Sequence, residues 1–202
     1  FGIGDVGDDK FDLYAPQIHE IDPEFPVLNK KSGKKMRWAI KEAYEQGDSL
    51  GGLIQCAVTG LPVGIGEPMF GGVESRIAQI VYGIPAVKAL EFGAGNAAAD
   101  MRGSQANDSL RYEEGRVVAT TNHGGGIGGG ITSGMPVIFR CAIKPTPSIA
   151  KEQDSVSLSR MESAKLVIGG RHDPCIAPRA VPVIEAVAAL AILDALLDPM
   201  LL

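Results

Sequence analysis

Seven of the eleven residues from Gly124 to Gly134 are glycine, and this cluster restricts the possible folds more than any other feature. Glycine loses more backbone entropy on folding than other residues, so a dense cluster weakens a fold unless its freedom is used. The two uses are positive φ angles and a bare backbone that contacts a ligand. A flexible linker is the alternative interpretation, but ordered elements predicted on both sides of the cluster argue against it.

An apolar run at residues 136–143 follows the glycines and is predicted to form a β-strand. The strand leads into Lys144, Pro145, Thr146, Pro147 and Ser148, a stiff segment with one cation and two hydroxyl groups. A bare loop, a strand and a rigid polar segment could together hold a planar, phosphorylated cofactor. We therefore predict a cofactor site within residues 121–148.

The glycine spacing of the dinucleotide-binding fingerprint occurs twice, beginning at Gly2 and at Gly124. That fingerprint works only between a strand and a helix, where the helix N-terminus faces the pyrophosphate. A strand-like run follows the second match, and no helix signal follows the first. We interpret both matches as accidental, and the sequence contains no P-loop motif.

Charge and composition exclude several classes of protein. A net charge of −5 argues against a nucleic-acid-binding face, which would be basic. The apolar run at residues 180–197 contains Glu185 and Asp194, which favours a buried helix over a membrane span. Three widely separated cysteines without a C-x-x-C motif predict reduced thiols, as in a cytoplasmic protein, and no metal framework.

Hydrophobic periodicity predicts a mixture of helices and strands in one domain. Helices are expected at residues 32–46, at 73–82 and from 181 onward. Strands are expected at residues 49–59, 86–92, 136–143, 156–158 and 165–168. Residues 1–16 show no period, and residues 103–115 are predicted to be a mobile surface loop. The order is not a regular βαβ alternation, so we predict an α+β fold with antiparallel strands.

The densest group of ionisable side chains is Arg171, His172 and Asp173, which precede Pro174. Arg171 could hold a phosphate or a carboxylate through its planar guanidinium, and Asp173 could act as a base or a proton relay. Taken alone, the motif is more typical of an exposed turn with Asp173 as a helix cap. His123, beside the glycines, could face a ligand, whereas His19 is expected to be solvated.

Four motifs, in order, carry a resemblance to a known family. They are GEPMF at residues 66–70, IPAVKALEFGAG at 84–95, TNHGGGIGGGITSGMPVIFRCAIKPTPSI at 121–149 and GRHDPCIAPRAVPVIEA at 170–186. With these motifs the chain resembles the chorismate synthase family across residues 49–197. The resemblance implies a fold in which helices lie between antiparallel sheets.

The resemblance also implies an activity, a cofactor and an assembly. Members of this family are cytoplasmic homotetrameric carbon–oxygen lyases of the shikimate pathway, which leads to the aromatic amino acids. They convert 5-enolpyruvylshikimate 3-phosphate to chorismate with reduced FMN, and some also reduce the flavin with NADPH. We therefore expect a small-molecule substrate and neither a nucleic-acid partner nor a membrane.

Site residues are carried over by position within these motifs. The matches to flavin contacts are Pro85, Ala86, Gly129, Lys144, Pro145, Thr146, Pro147, Ser148 and Arg171. Arg171 is also expected to contact the substrate. Asp173 matches the acidic residue proposed to help move a proton at the flavin, which replaces the cap interpretation of that motif.

The chain departs from the family pattern at three tolerable positions and in one larger respect. Gly124 stands where Ala is usual, Ala89 where Gly is usual, and Asn96 where an aromatic residue is common. The family's N-terminal GESHG and SGR motifs, which carry two catalytic histidines, are absent. The chain therefore resembles the C-terminal portion, a single incomplete domain at residues 1–202 that we expect to be inactive alone. The alternative is a non-catalytic flavin-binding or oligomerisation domain of the same fold.

Overall fold

The computed structural model describes residues 1–12, 16–22 and 24–197. The strands are β1 (Gly2–Ile3), β2 (Val6–Gly7), β3 (Gly52–Val58), β4 (Val87–Phe92), β5 (Leu110–Glu113), β6 (Arg116–Ala119), β7 (Ile127–Gly128), β8 (Ile131–Thr132), β9 (Val137–Ile143), β10 (Gln153–Ser157) and β11 (Glu162–Leu166). The α-helices are α1 (Lys30–Glu45), α2 (Val73–Val81), α3 (Gly103–Ala106) and α4 (Ala177–Leu196). Short 3-10 helices span Ile18–Glu20, Met69–Gly71 and Gly95–Asp100.

Five strands form the main sheet, in the order β2-β1-β3-β9-β4, and every neighbouring pair is antiparallel. Strand β9 is apolar at almost every position, and Phe139 and Cys141 are fully buried. Cys56 of β3 lies opposite Phe139, and Ile54 lies opposite Cys141. Because alternate residues of a strand share one face, these side chains form the floor of the core.

Helices α2 and α4 pack against each other, and α4 packs on β3. The buried side of α4 combines Ile184 and Ile192 with small residues such as Ala188. The approach of helix to strand is close, since a Cβ added to Gly52 would lie 2.6 Å from the Cβ of Ala177. Other residues of α4 expose apolar side chains, including Val183, Leu190, Leu193 and Leu197 beyond its last residue.

The first long helix has sequence signals at both ends. The Asn29 side chain accepts hydrogen bonds from the backbone N–H groups of Lys31 and Ser32, at 2.9 and 3.4 Å. This N-cap starts α1 two residues earlier than predicted. Gly47 follows the helix with a φ of +67°, as expected for a C-cap glycine.

The α+β class with antiparallel strands is confirmed, whereas several local predictions are wrong. Residues 2–7 form the hairpin β1–β2, and the predicted loop 103–115 contains α3 and β5. Helix α4 begins at Ala177 instead of residue 181, because Pro178 is tolerated in a first helical turn. Predictions at residues 13–15, and for the last helix at 198–202, lie outside the described residues. No helix of the described part is long and apolar enough to span a bilayer.

Candidate functional site

The glycine-rich loop uses its backbone freedom, as predicted. Gly129 and Gly130 form the tip of the hairpin β7–β8, with φ values of +61° and +89°. Two-residue hairpin turns with positive φ at both positions are dominated by glycine and asparagine. A Cβ on Gly126 would lie 2.4 Å from the carbonyl oxygen of Pro136, whereas a Cβ on Gly129 would have no atom within 4 Å. Gly129 therefore presents open backbone, whereas a Cβ on Gly130 would lie 2.3 Å from the carbonyl oxygen of Glu67.

Two buried polar side chains hold the loop from inside. Asn122 is 2% exposed. Its Nδ2 donates to the carbonyl oxygen of Pro136 at 2.9 Å, and its Oδ1 accepts the backbone N–H of Gly126 at 2.6 Å. Thr132 Oγ1 donates to the carbonyl oxygen of Pro62 at 2.7 Å and accepts the N–H of Ile65 at 2.9 Å. These bonds tie the loop to β9 and to the turn before α2.

A carboxylate holds the same loop from outside. Asp108 Oδ1 accepts the hydroxyl of Thr121 and the backbone N–H of His123, both at 2.7 Å, and Oδ2 accepts the N–H of Gly124 at 2.8 Å. Burial alone would raise the pKa of Asp108, but these hydrogen bonds outweigh it and lower the pKa below 3.8. The His123 ring lies beside this carboxylate, with Nδ1 3.7 Å from Oδ1.

The segment 144–148 continues from β9 and lies between two other parts of the chain. The N–H of Lys144 donates to the carbonyl oxygen of Ala86 at 2.9 Å. Ala86 has a φ of +76°, which is uncommon for a residue other than glycine. On the other side, Ser49 Oγ donates to the carbonyl oxygen of Thr146 at 2.6 Å. Pro85 and Ala86 therefore adjoin the start of this segment.

The segment that contains Arg171 and Asp173 reaches the same region through the residues before β3. The carbonyl oxygen of Pro174 accepts the N–H of Leu50 at 2.7 Å, directly beside the Ser49 contact to Thr146. As a result, Ser148 and Asp173 line one cleft of about 340 Å³. That volume is within the range of small-molecule sites. Asp173 pairs with Arg179 of α4 and accepts the N–H of Cys175 at 3.4 Å.

Gly129 lies apart from the other predicted site residues within this chain. The glycine-rich loop joins β9 at Val137, whereas Lys144 follows its last residue, Ile143. A seven-residue strand spans roughly 20 Å. The structure therefore brings Pro85, Ala86 and the segments 144–148 and 171–173 into one region, and places Gly129 toward the opposite end of the sheet.

The exposed cations around the segments 144–148 and 171–173 favour the binding of an anionic group. Lys144 and Arg171 are exposed, and neither side chain has a hydrogen bond or ion pair within the described residues. Thr146 Oγ1 is buried without a hydrogen-bond partner in the same part of the chain. The cleft itself is acidic, since Asp48 and Asp173 line it. The Lys151 ammonium and the N–H of Ser49 lower the pKa of Asp48 through hydrogen bonds.

Comparison with known proteins agrees with the family resemblance of the sequence motifs. A sequence model of the chorismate synthase family matches residues 3–197. The chain belongs to the chorismate synthase family.

Relatives and a solved structure extend the comparison. Chorismate synthases of Lancefieldella parvula and Archaeoglobus fulgidus are 49% and 50% identical to the chain over 185 and 152 residues. These matches cover 91% and 75% of this chain, and 49% and 42% of the relatives. A crystal structure of chorismate synthase matches with a TM-score of 0.69 and 31% identity, over 85% of this chain and 44% of that one. The chain thus spans about half the length of the curated relatives it matches.

Two residues that hold the glycine-rich loop of this chorismate synthase family member were missed from the sequence. Asp108 lies in a segment predicted to be a mobile surface loop, and its partners are 13 to 16 residues away. Thr132 accepts from a residue 67 positions away. Neither position carries a local pattern that indicates such a partner. Among the described residues no group of three or more histidine, cysteine or acidic side chains could hold a metal ion.

Proposed function

We propose that the protein carrying this chain is a chorismate synthase. The reaction is the 1,4-anti elimination of phosphate and a proton from 5-enolpyruvylshikimate 3-phosphate, which gives chorismate in the shikimate pathway. The family match over residues 3–197 supports this proposal. The observation that carries it is the convergence of the segments 144–148 and 171–173 on the residues before β3.

The residues of this region fit part of a flavin mononucleotide. Lys144 and Arg171, which have no ion pair among the described residues, offer two cations for a phosphate. Thr146 and Ser148 offer hydroxyl groups that donate or accept hydrogen bonds. The buried hydroxyl of Thr146 has no hydrogen-bond partner among the described residues, which supports a bound group at this segment. The cleft is acidic beside Asp173, which does not suit a phosphate. We therefore place the phosphate of the flavin beside Lys144. Reduced FMN, when bound, would lend the substrate an electron and recover it, with no net redox change.

Each of two side chains has a proposed role toward the substrate. Arg171 is exposed and unpaired within the described residues, so its guanidinium is available to a phosphate or carboxylate of the substrate. Asp173 is a partly buried carboxylate whose position is fixed by Arg179 and by the N–H of Cys175. We propose that it accepts or relays a proton at the flavin, as a general base does.

The test uses the complete protein, 5-enolpyruvylshikimate 3-phosphate and photoreduced FMN under anaerobic conditions. Chorismate is followed by its absorbance and released phosphate is measured in parallel. We expect equal amounts of both products, and none when FMN is omitted. Phosphate release without chorismate would contradict the proposed elimination.

The alternative is a non-catalytic flavin-binding or oligomerisation domain of the same fold. The exposed apolar side chains of α4, including Leu190 and Leu193, favour a role in association. FMN binding or self-association by the complete protein, without chorismate formation in the same assay, would support this alternative. A homotetramer and a cytoplasmic location remain part of the enzyme proposal, and light scattering of the complete protein tests the assembly.

A further inference from the structure

The first long helix, α1, carries a dense group of positive charges. Six of the 19 basic residues of the chain lie within residues 30–41, a stretch that contains no acidic residue. All six are exposed, and we call them the basic surface of α1: Lys30, Lys31, Lys34, Lys35, Arg37 and Lys41. Since the chain as a whole has a net charge of −5, this surface reverses the prevailing sign.

This charge distribution is unfavourable for the helix alone. Like charges four residues apart are neighbours on a helix surface and repel each other, and this spacing occurs three times in the basic surface. The first turn also begins with two lysines and contains no acidic residue, although the helix dipole is positive at that end. A contact that carries negative charge would therefore stabilise α1.

Only two of the six cations have a partner in the part of the chain that the structure describes. Lys41 pairs with Glu45 at 3.6 Å, and the guanidinium of Arg37 lies 4.3 Å from the centroid of the Phe25 ring. The other four side chains make no ion pair with any described residue. The basic surface therefore keeps most of its charge for a contact outside the chain.

An acidic group adjoins the basic surface at the start of the helix. Glu20, Asp22 and Glu24 line a shallow depression of about 420 Å³ together with Lys30, the first residue of the basic surface. The two groups of opposite charge therefore lie side by side. No ion pair joins them among the described residues.

Two copies of the chain can pair both groups at once. A two-fold axis through the junction at Lys30 turns the basic surface of each copy toward the acidic group of the other. The contact is then isologous, with the same two patches used in each copy. From Lys30 to Lys41 the basic surface extends roughly 17 Å along α1, so several charge pairs can form on each side of the axis.

An exposed aromatic ring beside the basic surface offers apolar area for the same contact. Trp38 is 64% exposed, and it lies four residues from Lys34 and three from Lys41, so the three side chains are neighbours. Tryptophan is enriched among the residues that dominate interface energies, whereas charge pairs mainly fix orientation and speed association. The ring and the charges thus make different contributions to one interface.

We propose that α1 is an interface between two copies of the protein, in which the basic surface of each copy pairs with Glu20, Asp22 and Glu24 of the other. A nucleic acid or an anionic bilayer would match the lysines, but the adjoining carboxylates would repel it. The inference goes beyond the proposed function, since it assigns an interface that neither chorismate formation nor flavin binding requires.

The test reverses the charge of each patch in the complete protein. The all-acidic variant carries glutamate in place of Lys30, Lys31, Lys34 and Lys35. The all-basic variant carries lysine in place of Glu20, Asp22 and Glu24. Neither variant can pair with itself through the proposed interface, but each complements the other. Analytical ultracentrifugation gives the mass of each variant and of their equimolar mixture, at about 50 mM and about 500 mM salt.

The matched control changes the net charge as much as the all-acidic variant does, at sites outside α1. It carries glutamate in place of four exposed basic residues, Lys88, Arg102, Arg116 and Arg160. Circular dichroism establishes that each variant is folded. The glutamates of the all-acidic variant suit the positive end of the helix dipole, so we expect that variant to fold.

At low salt we expect the wild type and the control to have twice the mass of either variant, since loss of one two-fold interface halves a closed assembly. The Kd of the contact should rise at least about 100-fold in each variant, because like charges then face each other. The equimolar mixture of the two variants should recover the wild-type mass. High salt should dissociate both the mixture and the wild type.

A mixture that keeps the mass of its separate components would overturn the inference, and so would variants that keep the wild-type mass at low salt. An equal loss of mass in the control would overturn it as well, because the effect would then be one of net charge. Binding of RNA or of phosphatidylserine vesicles through α1, with no change of mass in either variant, would assign the surface to that polyanion instead. If a reversal variant does not fold, Lys34→Gln with Lys35→Gln and, separately, Trp38→Ala decide, and an unchanged Kd in both overturns the inference. Chorismate formation is measured separately, so failure of the proposed function leaves this test intact.

Discussion

Asp173 has two hydrogen-bonding or ion-pair partners, and substitutions can separate a structural role of this residue from a catalytic one. Its carboxylate pairs with Arg179 of α4 and accepts the N–H of Cys175. Both contacts would also exist in a residue that only orders the start of a helix. The family resemblance instead implies that Asp173 helps to move a proton at the flavin. Kinetic measurements on variants separate the two roles.

We expect Asp173→Ala in the complete protein to lower turnover by roughly 10²–10⁴ while the Kd for FMN changes little. The physical reason is that a positioned carboxylate contributes to proton transfer, whereas the cations proposed to bind the phosphate remain. The measurement is the anaerobic assay with saturating reduced FMN. Arg179→Ala is the control, because it removes the ion pair and keeps the carboxylate. An equal loss in both variants would mean that Asp173 acts only through α4.

Lys144→Ala should have the opposite signature, a raised FMN requirement with turnover recovered at high FMN. One charge-assisted hydrogen bond to the phosphate is lost, on the order of 1.5–3 kcal/mol in binding. The control is Lys151→Ala, since Lys151 is also exposed but already pairs with Asp48 at 2.7 Å. FMN titrations of the three proteins give the comparison. If both lysine variants shift the Kd equally, the effect is one of general charge and Lys144 is not a specific contact.

At the scale of single elements, similar backbone angles have different consequences at two glycines. Gly115, in the turn between β5 and β6, has a φ of +81°, and Gly126 has a φ of +79°. A Cβ on Gly115 would have no neighbour within 4 Å, whereas one on Gly126 would meet backbone atoms of Met135 and Pro136. The pair therefore separates the cost of a left-handed angle from the cost of close packing.

Gly115→Ala is expected to lower the free energy of unfolding by about 1–2 kcal/mol, the penalty for a side chain in the left-handed region. Gly126→Ala should exceed that penalty, because the backbone of the Pro136 turn must also shift. Urea denaturation of both variants measures the difference. Equal losses would mean that the loop relaxes around the added methyl group, and that its packing is looser than the distances indicate.

Elements marked by hydrophobic periodicity or by a capping residue could be predicted from the sequence. Elements that form only because they pair with a distant strand could not. Helix α1 could be predicted because its apolar face and its capping glycine lie in one continuous stretch. The strands β1 and β2 have two residues each, and β1 exists because Gly2 and Ile3 pair with Leu53 and Gly52. Strand β5 is exposed at every position, so no hydrophobic alternation reveals it.

At the scale of the whole molecule, helix α4 exposes apolar surface in the described part of the chain. Beyond the face buried by α2 and β3, helix α4 leaves Leu190 58% exposed and Leu193 50% exposed. Soluble monomers rarely expose contiguous apolar patches of more than a few hundred Å². The resemblance predicted helices between sheets, and among the described residues the main sheet covers one side of α4. The site residues taken from motifs stay predictions, whereas the position of the glycine-rich loop and of Lys144 at opposite ends of β9 could not be predicted from the sequence.

The 202-residue chain, produced by itself, is expected to form no chorismate and to bind FMN weakly. Elimination of a phosphate needs several cations and an acid and base around the substrate, and the cations that we propose for it in this chain are Lys144 and Arg171. Its uncovered apolar surface should also cause self-association, which light scattering and dye binding can detect. The same anaerobic assay decides the outcome. Turnover near that of the complete protein would show that this chain holds the whole active site.

Strands β3 and β9 each contain one buried thiol, Cys56 and Cys141. The rates at which these thiols are alkylated report how the sheet opens. Burial is the main reason that the pKa of Cys56 rises to about 12 and that of Cys141 to about 11, so both are protonated at neutral pH. A protonated, buried thiol reacts very slowly with an alkylating reagent, so labelling is limited by opening of the structure. Because β3 and β9 are paired along their whole length, we expect both thiols to be alkylated at one common rate. Mass spectrometry of a labelling time course measures both sites, and earlier labelling of Cys56 would mean that β3 separates from the sheet before the core unfolds.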